Sequence, residues 1–317
     1  MREGWEVRAC GRSQRPDGLP DAVDYRVADL AEGTGLGDVV EGVSHVFHLA
    51  GASSSFADEE EMHRSNVVGT ENLLAAVAGS DVERFLFMST TAVYGEEVEL
   101  PSPVPEDVEP HPSRGYGKTK WQAEQAVWRH VEKGLPALVL RPVSTYGPGN
   151  VKLLASAILD VAIERSLGLE SLEVPTPAVE QRLVHVADVV KASVHLIGHA
   201  EAVGRAFNVT APTYPTSHDI AGILAPEFGL AVQVSDDPDC GPSYEERKAG
   251  RERMLAQGMR DEILFTEDRF RFMRKENRNN RVSIEALLGT GFEFSEADLP
   301  RSIARTVAWY RDNRWVL

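Results

Sequence analysis

Two cysteines, Cys10 and Cys240, are all that 317 residues contain, so neither a disulfide framework nor a cysteine-ligated zinc cluster is available. Long apolar runs are also missing, and no stretch approaches the roughly 18 residues that span a bilayer. The opening Met-Arg-Glu-Gly-Trp-Glu carries charges where a signal peptide would be apolar, which points to a cytoplasmic protein with no membrane partner. Excess positive charge is absent too. With 49 Asp+Glu against 33 Lys+Arg the formal net charge is −16, and an acidic surface repels nucleic acid. There are no internal repeats or low-complexity tracts. What remains is the composition of a globular enzyme of small molecules, long enough for one large domain or two closely joined ones.

Strand-like apolar runs alternate with helix-like stretches through the first two thirds of the chain. Trp5–Cys10, Val23–Val27, Val43–Ala50, Arg84–Ser89 and Ala137–Arg141 read as strands, and Met62–Ala78 and residues 116–133 as helices. Leu183–Val186 and Ala206–Val209 are further short strands, with Ala187–Gly198 helical. Five prolines between Pro101 and Pro112 make 101–115 an irregular loop. The alternation predicts an α/β fold with a parallel sheet covered on both faces, which binds ligands at the carboxyl ends of its strands. Beyond Gly149 the pattern loosens. Residues 243–281 hold eleven Lys or Arg against eight Asp or Glu, and such mixed signs suit a solvated helical excursion, with a lid or phosphate-facing segment as the alternative.

The chemistry gathers at Tyr116 and Lys120. Four residues apart on a helix, they share a face. A free phenol titrates near pH ~10, and a neighbouring ammonium is expected to lower that value by stabilising the phenolate. A hydroxyl from Thr90, in Ser89-Thr90-Thr91, would bond the reacting oxygen while Tyr116 exchanges its proton, a relay suited to hydride transfer. The alternative is a solvated helix face.

The order of the surrounding motifs resembles the extended short-chain dehydrogenase/reductases, a group of NAD(P)-dependent epimerases, dehydratases and reductases. The landmarks are Asp29-Leu30, His48-Leu49-Ala50-Gly51, Asn66 through Leu74, Ser89 through Gly95, Tyr116-Gly117-Lys118-Thr119-Lys120, Arg141-Pro142 with Tyr146-Gly147-Pro148-Gly149, and Arg182 through Val189. The resemblance implies a Rossmann-type doubly wound sheet with a smaller C-terminal substrate domain. Residues 1–147 and 182–210 would bind dinucleotide, and 148–181 with 211–317 would bind substrate. It also implies Thr90, Tyr116 and Lys120 as catalytic residues. The cofactor would meet Arg12, Asp29, Leu30, Leu49, Ala50, Gly51, Asn66, Ser89, Tyr116, Lys120 and Pro142. For Asn66 a structural role, bonded to nearby backbone, is an equal alternative. Thr91, Ser144 and Arg182 would face the substrate. No metal is implied, and the paired helices at 62–78 and 116–133 imply a homodimer.

One departure from the family stands out. Nothing before Trp5 matches the expected first strand and glycine-rich turn that seats a pyrophosphate on a helix N-terminus. The expectation is a shortened start, a degenerate member that no longer binds dinucleotide, or a sheet completed by another element. Cys10-Gly11-Arg12, with Arg15 beyond, stands where an NAD-binding carboxylate is usual, which favours NADP and leaves NAD open. Dehydratases of the group carry an acidic pair after the catalytic Thr, whereas Thr91 and Ala92 stand here, so elimination of water is disfavoured. Three readings remain. One is an NADP(H)-using epimerase or reductase of nucleotide-activated sugars, with Arg182 on the diphosphate. Another is a ketoreductase of some other small metabolite, supported by Ser144 and Val174-Pro175-Thr176-Pro177 where sugar enzymes differ. The last is a cofactor-poor binding protein on the same scaffold.

Overall fold

The computed structural model describes residues 4–53, 57–95, 99–266 and 281–317. The chain divides into two compact units. The first comprises Met1–Pro142, Ser193–Asn208 and Glu285–Thr290, and the second Val143–Ala192, Val209–Ile284 and Gly291–Leu317. Residues 143–147, 182–192 and 209–210, assigned by resemblance to the dinucleotide portion, cluster with the second unit, and 285–290, assigned to the substrate portion, with the first.

In the first unit, β1 (Arg8–Gly11) pairs in parallel with β2 (Asp24–Val27). A four-stranded sheet follows in the order β3 (His45–His48), β4 (Arg84–Met88), β5 (Ala137–Pro142), β9 (Ala206–Val209), with β3, β4 and β5 parallel. Among the described residues β1 and β3 each have a single strand neighbour. The Trp5 ring sits edge-on to His45 and Phe47 of β3, with centroids 4.9 and 6.3 Å away. Every residue of β5 is buried, so it reads as an unbroken apolar run rather than an alternation.

Helices α1 (Leu36–Val40), α2 (Glu59–His63), α3 (Gly69–Val77) and α4 (Gly115–Val131) complete this unit. Asp58 caps α2 by accepting from the Glu61 amide, and acidic Glu59, Glu60 and Glu61 suit the positive end of that helix. Between α2 and α3 the chain widens into a π-helical turn, Arg64–Val68, so the predicted helix over 62–78 is an α–π–α run. Leu73, Leu74, Val77, Phe85, Phe87, Ala123, Val127 and Val139 make the core between this helix layer and the sheet. Burial at this density is worth about 1.5–3 kcal/mol per large side chain.

The second unit has its own core. Short β6 (Ser144–Tyr146) pairs with β8 (Leu183–His185), and β7 (Ser171–Pro175) with β10 (Ala231–Ser235). Around them pack α5 (Leu154–Ser166), α7 (Ser217–Glu227), α8 (Tyr244–Ala256) and α10 (Leu299–Asp312), with α6 (Val186–Ile197) running from this unit into the first and α9 (Glu285–Leu288) in the first. Ser243 and Glu246 form a reciprocal capping box that starts α8, as Thr216 and Asp219 do for α7. The charged stretch expected over 243–281 is therefore helical at 244–256, and its residues 267–280 lie outside those described.

Candidate active site

The site is assembled at the carboxyl ends of β3 and β4 and on the first turns of α4. After β4, Ser89 and Thr90 lead into a 3-10 turn, Thr91–Tyr94. Thr90 caps this turn by accepting from the Ala92 amide at 3.2 Å, which leaves its hydroxyl proton for a further acceptor. Helix α4 begins without a side-chain cap, at Gly115 with φ +60°. Its placement comes from packing instead. A Cβ added to Gly117 would run into the Ala92 carbonyl, with the carbonyl carbon 3.1 Å away, so bare backbone brings the Tyr116 turn against the Thr90 turn.

Lys120 is buried, with Nζ 4.1 Å from the centre of the Phe87 ring. A Cβ at Gly51 would come 2.8 Å from Asn66 Oδ1, so the loop leaving β3 packs against Asn66 only because residue 51 has no side chain, and the same point lies 3.8 Å from Lys120 Nζ. Asn66 commits its side chain within the protein. It accepts from the Ala52 amide (2.7 Å) and donates to the Ala52 carbonyl and to Thr119 Oγ1, both at 2.9 Å. The structural alternative for Asn66 is thus the role these bonds describe: it fastens the β3 loop to α4.

Behind these residues lies a buried polar network. Glu124, one turn beyond Lys120 and fully buried, accepts from Ser89 Oγ (2.8 Å), from Trp128 Nε1 (3.2 Å) and from Arg141. Arg141 also donates to Tyr94 Oη (2.9 Å) and to the Glu106 carbonyl (3.0 Å), and Tyr94 donates to Asn208. Sequence reasoning missed this network; the signal was Glu124 at i+4 from Lys120 on an otherwise apolar helix face. His48, also buried, meets Thr70 Oγ1 at 2.8 Å. Because Thr70 donates to the Asn66 carbonyl, His48 is the donor there through Nε2–H.

Electrostatics overturn one expectation. Burial pushes the Tyr116 phenol up to about 12 and the Lys120 amine down to about 7, with Glu124 acting to raise the latter. The predicted lowering of the phenol by its ammonium neighbour is absent: loss of water is what acts on the phenol, and the lysine's own charge is costly where it is buried. His48 is driven down to about 3 by burial and then by Lys120, so it is neutral.

The remaining sequence-predicted residues lie as follows. Leu49, Ala50 and Gly51 are exposed past β3, and Pro142 is buried at the end of β5. Asp29 turns back on its own loop, its Oδ1 accepting from the Ala31 and Glu32 amides at 2.8 and 3.2 Å, and Leu30 packs beside Gly69. Arg12 is exposed past β1, on a cavity of about 310 Å³ that Asp29, Asp58 and Arg64 also line. Arg15 is committed to the carbonyls of Leu19, Pro20 and Val23, which removes it from the phosphate-binding pair expected with Arg12. Thr91 opens the turn after Thr90, while Ser144 starts β6 and partly buried Arg182 precedes β8, both in the second unit. The exposed Leu49–Gly51 backbone, with Lys120 Nζ 3.8 Å from where a Cβ of residue 51 would stand, fits the nicotinamide-ribose end of a dinucleotide. No glycine-rich strand-to-helix turn for the pyrophosphate is found among the described residues. No group of His, Cys, Asp or Glu among them is arranged to hold a metal, and no helix is long and apolar enough to cross a membrane.

Comparison with known proteins matches residues 1–210 to a family described as the NAD dependent epimerase/dehydratase family. The chain is similar to the GDP-6-deoxy-D-mannose reductase of Pseudomonas aeruginosa, 31% identical over 229 residues that cover 69% of this chain and 75% of that one. Among solved structures, RMD from Pseudomonas aeruginosa complexed with NADPH superposes with a TM-score of 0.68 at 24% identity, covering 91% of this chain and 90% of the other. MoeE5 in complex with UDP-glucose and NAD does so at 0.71 and 22%, covering 98% and 92%.

Proposed function

Because the chain belongs to the NAD dependent epimerase/dehydratase family, we propose that it is an NADP(H)-using epimerase or reductase acting at a carbinol or carbonyl carbon of a nucleotide-activated sugar. The observation that carries this reading is the packing of α4. Gly117 sets the Tyr116 turn against the Thr90 turn, and Lys120 lies under the bare backbone of Gly51. A bound nicotinamide would supply or accept the hydride.

The protein's own part is proton handling and orientation. With its phenol up at about 12, Tyr116 is protonated at neutral pH and so is the donor to a carbonyl oxygen that is becoming an alkoxide. The hydroxyl of Thr90 bonds the same oxygen and fixes its direction. In the oxidising direction Tyr116 must take a proton, so the phenolate has to form against the cost of its burial. A Lys120 titrating at about 7 is partly charged at neutrality, which suits a site run both ways. Lys120, Tyr116, Leu49, Ala50, Gly51, Ser89, Pro142 and Asn66 would border the nicotinamide half, and Arg12, Asp29 and Leu30 the adenosine half. Exposed Arg12, preceded by Cys10 and Gly11 where an NAD-binding carboxylate is usual, supports NADP over NAD, against the Asp29, Asp58, Glu60 and Glu61 carboxylates that line the same cavity.

Nucleotide sugar as the substrate is supported by the names of the similar proteins. Arg182, Ser144 and Thr91 are proposed substrate contacts from their places in the motifs. A ketoreductase of a smaller metabolite is the second reading, favoured by Ser144 and by the Val174–Pro177 segment. Loss of substrate affinity in Arg182→Ala supports the first reading, and its retention the second. Assembly as a homodimer through the 62–78 and 116–133 helices, and a cytoplasmic setting, belong to the same proposal. The deciding experiment is Tyr116→Phe. Turnover should vanish while fluorescence titration with NADPH shows nearly unchanged affinity; full turnover would refute the assignment, and no NADPH binding by the parent chain would favour a binding protein instead.

A further inference from the structure

Glu124 takes no part in the proton transfer just described, yet it is one of the most completely buried groups in the first unit, with no exposed surface. A carboxylate costs several kcal/mol to bury, so its partners are informative. It reaches three segments at once. Through Ser89 it holds the residue before Thr90; through its own helix it stands one turn beyond Lys120 and two beyond the Tyr116 turn; through Arg141 it grips the end of β5. Both carboxylate oxygens accept, the pattern of an ionised group.

The surroundings of the Lys120 amine sharpen the point. From β3 it faces His48, a neutral donor to Thr70. From β4 it faces the Phe87 ring, from the loop after β3 the Gly51 backbone, and from the π turn Asn66, all uncharged. On α4 itself Tyr116 is a neutral phenol. Glu124 is the group in this set that carries negative charge, and Arg141 lies on its far side as counter-ion.

Resting on the proposed function above, we propose that Glu124 is the positioning residue of the site: one buried carboxylate, bonded to Ser89 and one helical turn from Lys120, ties the Thr90 turn to the Tyr116 helix and strengthens the hold of the Lys120 amine on its proton. The downward drift of Lys120 by burial, opposed by Glu124, agrees with that geometry. A merely structural ion pair with Arg141 would leave Lys120 indifferent to its removal.

The test reads Lys120 directly, with neither cofactor nor substrate. Protein labelled with carbon-13 at lysine Cε is titrated by NMR, and Lys120→Met identifies the resonance. Glu124→Gln keeps the shape and removes the charge, and should lower the Lys120 midpoint by about one to two pH units, a ten- to hundred-fold loss of proton affinity. Because Glu124→Gln leaves a buried guanidinium unpaired, Glu124→Gln with Arg141→Met is made in parallel; a neutral replacement of both partners is commonly tolerated, and since the farther cation is removed too a smaller downward shift, about half to one pH unit, is expected. Ser89→Ala should leave the midpoint in place and lower kcat without raising KM, since it loosens Thr90 alone. A midpoint within a few tenths of the parent in either folded charge variant overturns the proposal. The functional reading fails separately. A shifted Lys120 with an active Tyr116→Phe enzyme would retain the coupling and discard the acid/base assignment. An unshifted Lys120 with an inactive Tyr116→Phe would do the reverse.

Discussion

Gly117→Ala tests how the site is held together. The added methyl would overlap the Ala92 carbonyl oxygen and lie 3.1 Å from its carbon and 3.4 Å from Pro112 Cβ. Carbon atoms pack best at about 3.5–4.0 Å, so the start of α4 must move away from the 3-10 turn by a sizeable fraction of an ångström or more. The neighbour is backbone on a turn capped by Thr90, so it cannot swing aside as a side chain would. Overpacking of this kind costs about 1–3 kcal/mol. Helix propensity works the other way, Ala over Gly by about 1 kcal/mol, so the expected net loss is about 0–2 kcal/mol, a fall of a few °C in Tm at most. Turnover should suffer far more. Displacing a reacting group by about 1 Å costs on the order of 100-fold, so kcat should drop by about 10- to 100-fold while NADPH affinity and Tm change little. Stopped-flow or steady-state assays beside a thermal melt provide the comparison. A Gly117→Ala protein with parental kcat would show that the contact between the two turns does not place Tyr116.

Two further outcomes follow from charge. His48 has a folded value near 3 against an ordinary 6.5, so the unfolded chain binds more protons between those pH values and stability falls as pH is lowered from about 6.5 to 3. His48→Gln should flatten that limb in urea melts, and an unchanged acid limb would contradict a buried neutral imidazole. Arg12→Ala should weaken NADPH by roughly 10-fold and leave NADH within about two-fold in fluorescence titration, the loss being that of one charge-assisted contact to a phosphate. Equal losses for both cofactors would remove Arg12 from the 2′-phosphate.

The first unit was legible because its signals are local. The strands read at 5–10, 23–27, 43–50, 84–89 and 137–141 appear as β1 to β5, with β2, β3 and β4 trimmed, β1 shifted to 8–11 and β5 one residue longer, since short apolar runs mark a strand better than its ends. In the second unit the strand read at 183–186 and the helix at 187–198 appear as β8 and α6, but the rest was not legible. In α5 every residue from Leu154 to Glu164 except Asp160 is buried, so the helix has no polar face to give a period. For α7 and α8 the capping boxes Thr216/Asp219 and Ser243/Glu246 were present in the sequence and were the available start signals. At the site, the Tyr116–Lys120 spacing could be read directly, but its electrostatics could not. Pairwise charge reasoning predicted a lowered phenol, while burial drives the phenol upward and the Lys120 amine, enclosed by Phe87, Gly51 and Asn66, downward.

The π-helical turn between α2 and α3 lets one continuous helix serve two surfaces that an ideal α-helix could not face together. Its wider circuit takes up an extra residue, so Asn66 is aimed at Ala52 and Thr119 while Leu73, Leu74 and Val77 still meet the sheet. Rewinding 64–68 to 3.6 residues per turn with no residue removed would rotate everything after it by about 100°. Either the amide would lose its clasp on the β3 loop or the three apolar side chains would swing towards water. The helix is phased like a camshaft, and its timing is set in those five residues.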